Sequence, residues 1–238
     1  MKIGIIGYGE IGKGLHKIYS EFPHYKVCIT DPKLNLYDNI DNCSILNICI
    51  PYSENFTKTV NDYIDITKPN LTVVHSTVAP TTTSKLNGRV CHSPVRGLHP
   101  NIDIGLKTFV KWIGSEDINI SLEYQTHLKE LGIASFICEN SKTSEYAKLL
   151  DTTYYGLCIS FHNDVFNLCE REGIVFEEVM TKYNQTYNEG YSKLNKLNVI
   201  RPILTTSKKI GGHCIIPNVH ILKEYFKSEL LQNILKYE

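Results

Sequence analysis

Short apolar runs alternate with amphipathic stretches over the first 140 residues of the chain. Five of these runs are predicted to be strands, and the almost continuously apolar run at residues 43–50 is typical of a parallel strand covered on both faces. The five runs lie at residues 2–6, 26–30, 43–50, 71–75 and 89–94. Two more strands are predicted at residues 109–114 and 134–138, on either side of a helix at residues 118–131. Strands that alternate with helices indicate βαβ units and a parallel sheet.

The pattern changes near Glu139, where polar residues that favour helix caps precede a long amphipathic stretch. Apolar residues recur there at intervals of three and four, at positions 146, 149, 150, 154, 157, 161, 165 and 168. Gly173 supplies the stop, so the pattern predicts one helix of about 28 residues. Further helices are predicted at residues 176–187, 219–226 and 229–237, which together predict a helical second domain.

Composition excludes several classes of function. Lysine plus arginine and aspartate plus glutamate balance at 25 each, so nothing favours binding to nucleic acid or to an anionic membrane surface. No apolar run approaches the roughly 18 to 20 residues of a membrane span, and we expect a cytoplasmic protein. The eight cysteines form no C-x-x-C pair and are interpreted as reduced thiols, so no metal site is predicted.

A glycine motif follows the first predicted strand. Gly7, Gly9 and Gly12 have the G-x-G-x-x-G spacing at the start of a helical run. The first glycine allows a sharp turn, the second leaves room for a pyrophosphate, and the third lets the helix pack closely on the sheet. Glu10 and Ile11 start that helix, whose N–H groups would meet the pyrophosphate. The alternative is an ordinary tight turn of an α/β protein.

Asp31 ends the second predicted strand, about 19 residues after Gly12. A carboxylate there accepts hydrogen bonds from the adenosine ribose and repels a 2′-phosphate, which favours NAD over NADP. The alternative is a turn residue before Pro32, and Lys33 leaves room for NADP. Pro51 and Thr77, after the third and fourth central strands, complete the predicted cofactor site.

The predicted fold class is therefore α/β. It has a Rossmann-type, doubly wound parallel sheet at residues 1–140, followed by a smaller all-helical domain at residues 141–238 with a long connecting helix.

Four segments resemble motifs of the UDP-glucose/GDP-mannose dehydrogenase family, and they occur in the family's order. They are Ser76–Pro80, Glu145–Leu149, Ser160–Asp164 and the turn Gly211–Ile215. In that family NAD oxidises a nucleotide-sugar alcohol twice, by way of an aldehyde and a cysteine thioester. The resemblance implies Cys214 as the nucleophile, Lys148 as the residue that stabilises oxyanion charge, and Thr77 as a ligand of the catalytic water.

Three positions depart from the family pattern. Thr152 replaces an asparagine, Asn218 replaces an aspartate, and Val95 replaces a glutamate that assists thioester hydrolysis. Losing two carboxylates removes acid–base groups, so a four-electron oxidation is not expected. Family members also continue into a third domain that binds the nucleotide, whereas this sequence ends at Glu238, which implies a shortened member.

The predicted substrate site contains side chains from three segments. Arg96 lies in a loop beside the expected nicotinamide position, where a guanidinium could bind a carboxylate or phosphate; the alternative is a surface arginine. The remaining predicted substrate ligands are Thr152, Gly211, Gly212, His213 and Asn218.

Three functions fit these residues. The first is an NAD-dependent dehydrogenase acting on an alcohol of a sugar or sugar-nucleotide-like substrate, and the second is a two-electron β-hydroxyacid-type dehydrogenase that does not need Cys214. The third is a regulatory protein that binds NAD without turnover. The expected partners are a small-molecule substrate and a second copy of the chain, paired through the long helix.

Overall fold

A computed structural model describes residues 1–97, 99–206, 209–211 and 214–238. Internal contacts divide the chain into two compact units, Met1–Lys148 and Leu149–Glu238. The division lies inside a single long helix, α5, which spans Ser141–Glu172. The sequence pattern puts the domain boundary at residue 140, just before this helix begins.

The described residues of the first unit form eight strands. They are β1 Lys2–Ile6, β2 Lys26–Asp31, β3 Leu36–Tyr37, β4 Ile45–Ile48, β5 Leu71–Val74, β6 Val90–His92, β7 Lys111–Ile113 and β8 Ser135–Ile137. Six form one sheet in the order β3-β2-β1-β4-β5-β6, in which only the β2–β3 pair is antiparallel. Strands β7 and β8 form a separate parallel pair. The predicted Rossmann-type parallel sheet is confirmed.

Helices cover both faces of this sheet. They are α1 Glu10–Ser20, α2 Phe56–Thr67, α3 Ile102–Thr108 and α4 Ile118–Glu130. One buried cluster lies under α1, α3 and α4, and a second lies under α2. Central strand residues contribute to both clusters: Ile3 and Ile5 to the first, and Ile6, Leu46 and Ile48 to the second. Burial on both faces explains the continuous apolar runs in the sequence.

Two elements of the first unit differ from the sequence pattern. Helix α3 is not predicted, because Pro100 precedes it and Gly105 interrupts its short apolar pattern. A Cβ at Gly105 would lie 2.5 Å from the Cα of Gly97, so this glycine permits a close backbone approach. Strand β3, Leu36–Tyr37, is not predicted either, because it is only two residues long.

The second unit is helical, as predicted. After the remainder of α5 come a π-helical turn at Glu177–Lys182 and then α6 Tyr183–Lys193, α7 Ile215–Leu222 and α8 Glu229–Leu235. Gly173 ends α5 at φ +67°, as expected for a helix stop. Helix α7 starts at Ile215 rather than at residue 219, since Pro217 fits within a first helical turn. Among the residues in the described ranges, no helix is long and apolar enough to cross a membrane.

Candidate functional site

The glycine loop after β1 has the geometry that its spacing predicts. Gly7 has φ +90°, and a Cβ there would lie 2.8 Å from the carbonyl oxygen of Cys49. A Cβ at Gly12 would lie only 2.1 Å from the carbonyl oxygen of Gly7. A Cβ at Gly9 would meet no atom within 4 Å. The loop therefore needs Gly7 and Gly12 for its own packing, whereas Gly9 keeps open the space above the N-terminus of α1.

Asp31 lies beside this loop. Its Oδ2 accepts a hydrogen bond from the backbone N–H of Tyr8 at 2.7 Å, and its Oδ1 accepts one from the N–H of Lys33 at 3.0 Å. Asp31 therefore caps the 3₁₀ turn Pro32–Leu34 and also holds the glycine loop against β2. Asp31 is thus both a turn residue and a neighbour of the glycine loop. Its carboxylate oxygens still have lone pairs that can accept further hydrogen bonds.

The remaining predicted cofactor residues lie at the same edge of the sheet. The loops that follow β1 and β4 meet at the point where the strand order reverses, which is where α/β sheets bind ligands. Glu10 and Pro51 are exposed, and Ile11 and Thr77 are half-buried. The Glu10 carboxylate pairs with the imidazole of His99 from the loop after β6.

The Arg96 side chain contacts two other residues of the first unit. Its guanidinium donates a hydrogen bond of 2.6 Å to the carbonyl oxygen of Val110 and lies 5.8 Å from the centre of the Phe109 ring. The structure thus favours the surface-arginine alternative over a free anion ligand. Val95, at the position of the expected glutamate, is buried in the apolar cluster that includes Ile5. No carboxylate replaces it at this position.

A buried lysine lies under the same loop. The Lys111 ammonium donates hydrogen bonds to the carbonyl oxygens of Ser93 and of Pro94, the latter at 3.2 Å. Burial lowers its pKa to about 7, and the positive charges of Lys148 and Arg96 act in the same direction. The sequence pattern did not single out Lys111, because a lysine in a short strand is usually exposed.

The start of α5 carries further buried polar residues that sequence reasoning missed. Ser144 and His92 are hydrogen-bonded at 2.8 Å, and His92 contacts the carbonyl oxygen of Ser76 at 3.1 Å. Glu145 is 0% exposed and accepts two backbone N–H groups. Burial raises the pKa of this carboxyl, and the N–H donors of Thr83 and Thr81 oppose the rise. The one available signal was a glutamate on the apolar face of a helix.

In the second unit the two polar departures from the family pattern contact each other. The Nδ2 of Asn218 donates a hydrogen bond of 3.1 Å to the hydroxyl of Thr152. Asn218 is buried, and its backbone N–H contacts the carbonyl oxygen of Cys214 at 3.3 Å. Cys214 is half-buried at the N-cap of α7. Three predicted substrate or catalytic residues thus lie together on α5 and α7.

The other predicted site residues divide as follows. Lys148 and Thr77 belong to the first unit, and Gly211 is an exposed residue of the second. Gly212 and His213 lie outside the described residues. No group of three or more histidine, cysteine, aspartate or glutamate side chains within the described ranges could hold a metal ion.

A doubly wound parallel sheet with this glycine loop defines the class of Rossmann-type α/β proteins. The chain is similar to the UDP-glucose/GDP-mannose dehydrogenase family. Residues 142–236 match the central domain of that family. The resemblance predicted from its motifs is therefore confirmed.

Individual relatives agree with this result. UDP-N-acetyl-D-mannosamine dehydrogenase of Methanococcus vannielii is 24% identical over 195 residues, which cover 79% of this chain and 41% of that protein. The enzyme of the same name from Methanocaldococcus jannaschii is 24% identical over 214 residues, which cover 80% of this chain and 47% of that protein. The chain thus spans less than half the length of these relatives.

Solved structures share the fold. The UDP-D-ManNAc dehydrogenase of Pyrococcus horikoshii matches with a TM-score of 0.79 at 17% identity, over 100% of this chain and 68% of that one. The 3-hydroxyisobutyrate dehydrogenase of Mycobacterium tuberculosis matches with a TM-score of 0.72 at 13% identity, over 98% of this chain and 90% of that one.

Proposed function

We propose that the chain is an NAD-dependent oxidoreductase that acts on an alcohol group of a sugar or sugar-nucleotide-like substrate. The observation that carries this proposal is the glycine loop, in which Gly9 leaves open space at the N-terminus of α1. The unpaired N–H groups of a first helical turn and the positive end of its dipole suit a pyrophosphate. The family relationship and the names of the relatives support dehydrogenase chemistry.

The residues present fit NAD. The pyrophosphate would lie over Gly9 and the N–H groups of Glu10 and Ile11, and Asp31 would accept the ribose hydroxyls with its remaining lone pairs. The Glu10 carboxylate beside this anion site contacts the Nδ1 of His99. Bound NAD would supply the acceptor for a hydride from the carbinol carbon.

Side chains of the protein would act on the substrate oxygen and on the carbon that has lost the hydride. An ammonium such as that of Lys148 stabilises negative charge that develops on the substrate oxygen. Cys214 lies at the N-cap of α7 and is the nucleophile that the family resemblance implies. The hydrogen-bonded pair of Asn218 and Thr152 is uncharged, and Val95 is apolar, so none of these three takes a proton from water.

This last observation favours a two-electron reaction over the four-electron oxidation of the wider family. Thioester hydrolysis needs an activated water, and the two positions from which the resemblance expects a carboxylate hold Asn218 and Val95. A β-hydroxyacid-type dehydrogenase, which reduces one NAD for each substrate oxidised, is therefore the second candidate.

The test starts with calorimetric titration of the purified chain with NADH. We expect binding, and we expect Gly9→Ala to weaken it at least about tenfold, because the added methyl enters the pyrophosphate space. A chain that does not bind NADH or NADPH would refute the proposal.

Turnover is then followed by the ultraviolet absorbance of the reduced nicotinamide. The substrates are UDP-N-acetyl-D-mannosamine, UDP-glucose, GDP-mannose and 3-hydroxyisobutyrate. One NADH per substrate indicates the two-electron reaction, and two indicate the four-electron reaction. We expect Lys148→Ala to abolish turnover in either case. Activity that survives Cys214→Ala selects the β-hydroxyacid type, whereas NADH binding without any turnover selects a binding or regulatory protein.

We also propose that the chain forms a homodimer through α5. Large apolar side chains of this helix are exposed within the second unit, among them Tyr154 at 66% and Phe161 at 57%. Such a surface favours a protein partner. Light scattering on the eluting protein should give twice the chain mass of 27.1 kDa, and Phe161→Lys should shift it to the monomer. A wild-type monomer would refute this assembly.

A further inference from the structure

Two buried contacts join the first turns of α5 to the loops that follow β5 and β6, all within the first unit. The first contact is made by Glu145. Its Oε2 accepts a hydrogen bond of 2.6 Å from the N–H of Thr81, and its Oε1 accepts one of 2.8 Å from the N–H of Thr83. Each carboxylate oxygen therefore holds one backbone donor of the segment that follows Ser76–Pro80.

The segment held by Glu145 is strained. Thr81 has φ +67°, which is unfavourable for any residue except glycine and most unfavourable for a β-branched one. Strained backbone persists only where surrounding contacts fix it, and Glu145 supplies two of these contacts. The carboxylate thus fixes the path of the chain four residues after Thr77.

The second contact runs through His92. Burial lowers the pKa of this imidazole to about 3, so the ring is neutral. Its Nε2–H donates to the carbonyl oxygen of Ser76 at 3.1 Å, and its Nδ1 lies 2.8 Å from the hydroxyl of Ser144 on α5. Ser76 directly precedes Thr77, so this chain of contacts leads from α5 to the predicted water ligand.

Lys148 lies one helical turn after this anchored part of α5. It follows Ser144 by four residues and Glu145 by three, and residues at these spacings share a helix face. Any slip or rotation of the first turns of α5 would therefore displace Lys148 relative to Thr77. The anchors fix the distance between Lys148, which the proposed reaction uses, and Thr77, which the family resemblance implies as a water ligand.

We propose that Glu145 and Ser144 are positioning residues, which hold Lys148 in register with Thr77 by clamping α5 to the strained turn at Thr81 and, through His92, to Ser76. This inference rests on the proposed function for the role of Lys148. The clamp itself is a property of the first unit and is measurable without turnover.

The main variant is Glu145→Gln. It keeps the side-chain shape, but its amide nitrogen cannot accept a hydrogen bond, so one of the two backbone N–H groups loses its acceptor. We expect kcat to fall at least about tenfold while the KM for NAD changes less than about twofold, because a displaced catalytic group affects the chemical step. Glu139→Gln is the matched control, since Glu139 is exposed just before α5, and it should change neither value.

A second substitution tests the mechanism by rescue. Glycine adopts φ +67° without strain, so Thr81→Gly removes the need for the carboxylate clamp. We expect Glu145→Gln combined with Thr81→Gly to recover most of the lost kcat. If Glu145 merely stabilises the fold, Glu145→Gln lowers the melting temperature without changing kcat, and the proposal is wrong.

The readout that does not depend on activity is the NMR spectrum of chain labelled with carbon-13 at the lysine Cε. The Lys148 signal is identified by its loss in Lys148→Arg. It should shift in Glu145→Gln, shift again in Ser144→Ala, and return in the rescued double variant. If Glu145→Gln does not fold, Ser144→Ala carries the same test through the second contact. An unshifted Lys148 signal in the folded variants would refute the positioning role of Glu145 and Ser144. Shifted signals in a protein without turnover would support that positioning role and refute the proposed dehydrogenase activity.

Discussion

Lys111 provides a quantitative test of the first unit, because a buried ammonium makes folding depend on pH. The side chain is 4% exposed, and its ammonium donates to the carbonyl oxygens of Ser93 and Pro94. Burial lowers its pKa from 10.5 to about 7. The perturbation that isolates this effect is Lys111→Met, which keeps an unbranched side chain of similar length and removes the charge.

The sign follows from the two protonation states. Below about pH 7 the folded and unfolded chains both bind the proton, so folding bears the full cost of burying the charge. Above that pH the Lys111 side chain is neutral in the folded chain, whereas in the unfolded chain it still binds a proton up to about pH 10.5. Stability contributed by this position therefore rises with pH. A shift of this size changes the free energy of unfolding by about 2 kcal/mol between about pH 7 and about pH 9.

The assay is urea unfolding of wild type and Lys111→Met at half-unit steps of pH. The difference in unfolding free energy between the two proteins should move in favour of wild type by about 2 kcal/mol over that range. The titration of the cysteines contributes about equally to the two unfolding free energies, because both proteins contain the same cysteines. Lys58→Met is the matched control, since Lys58 is 76% exposed and pairs with Asp62, and its difference curve should be flat. A flat or falling curve for Lys111→Met would refute the buried, neutralised lysine.

Two further pairs of variants test the site geometry. Gly12→Ala should lose about 1–3 kcal/mol of stability in urea unfolding, because its Cβ would lie 2.1 Å from a carbonyl oxygen, whereas Gly9→Ala should stay within about 0.5 kcal/mol of wild type and lose NADH binding. Equal stability losses would contradict the open space at Gly9. In a double-mutant cycle, Thr152→Val and Asn218→Ala should couple by about 0.5–1.5 kcal/mol. Strict additivity would mean that their hydrogen bond contributes nothing to stability.

The parts of the molecule that follow from sequence are those set by local geometry. The glycine loop was predictable because Gly7 needs a positive φ and Gly12 needs to lack a Cβ, and both needs arise within a few residues of chain. The strands were predictable because both faces of the sheet are covered, which makes them continuously apolar. The long helix was predictable from its period, and its stop from Gly173.

The parts that were missed depend on contacts between distant residues. Glu145 accepts from Thr81, 64 residues away, so its sequence neighbours do not show that it is buried and bonded. Lys111 reaches the carbonyl oxygens of residues 17 and 18 positions earlier in the chain. Asp31 was predicted as a ribose ligand, and only the structure shows that it also receives the N–H of Tyr8, 23 residues away. Each of these polar groups is hydrogen-bonded to a residue that is distant in the sequence, and the pattern of apolar and polar positions does not show such contacts.

The contact between Thr152 and Asn218 is another tertiary contact that the sequence does not reveal, and it bears on the proposed reaction. Taken singly, each residue departs from the family pattern and indicates a damaged site. Together they form a hydrogen bond between α5 and α7 beside Cys214, so the second unit retains a polar contact between these helices without a charge. A buried carboxylate would need a cation or several donors, whereas an amide and a hydroxyl satisfy each other. The pair therefore indicates a site that keeps its packing but does not supply a base to activate water, and it is on this ground that one NADH per substrate is the expected stoichiometry.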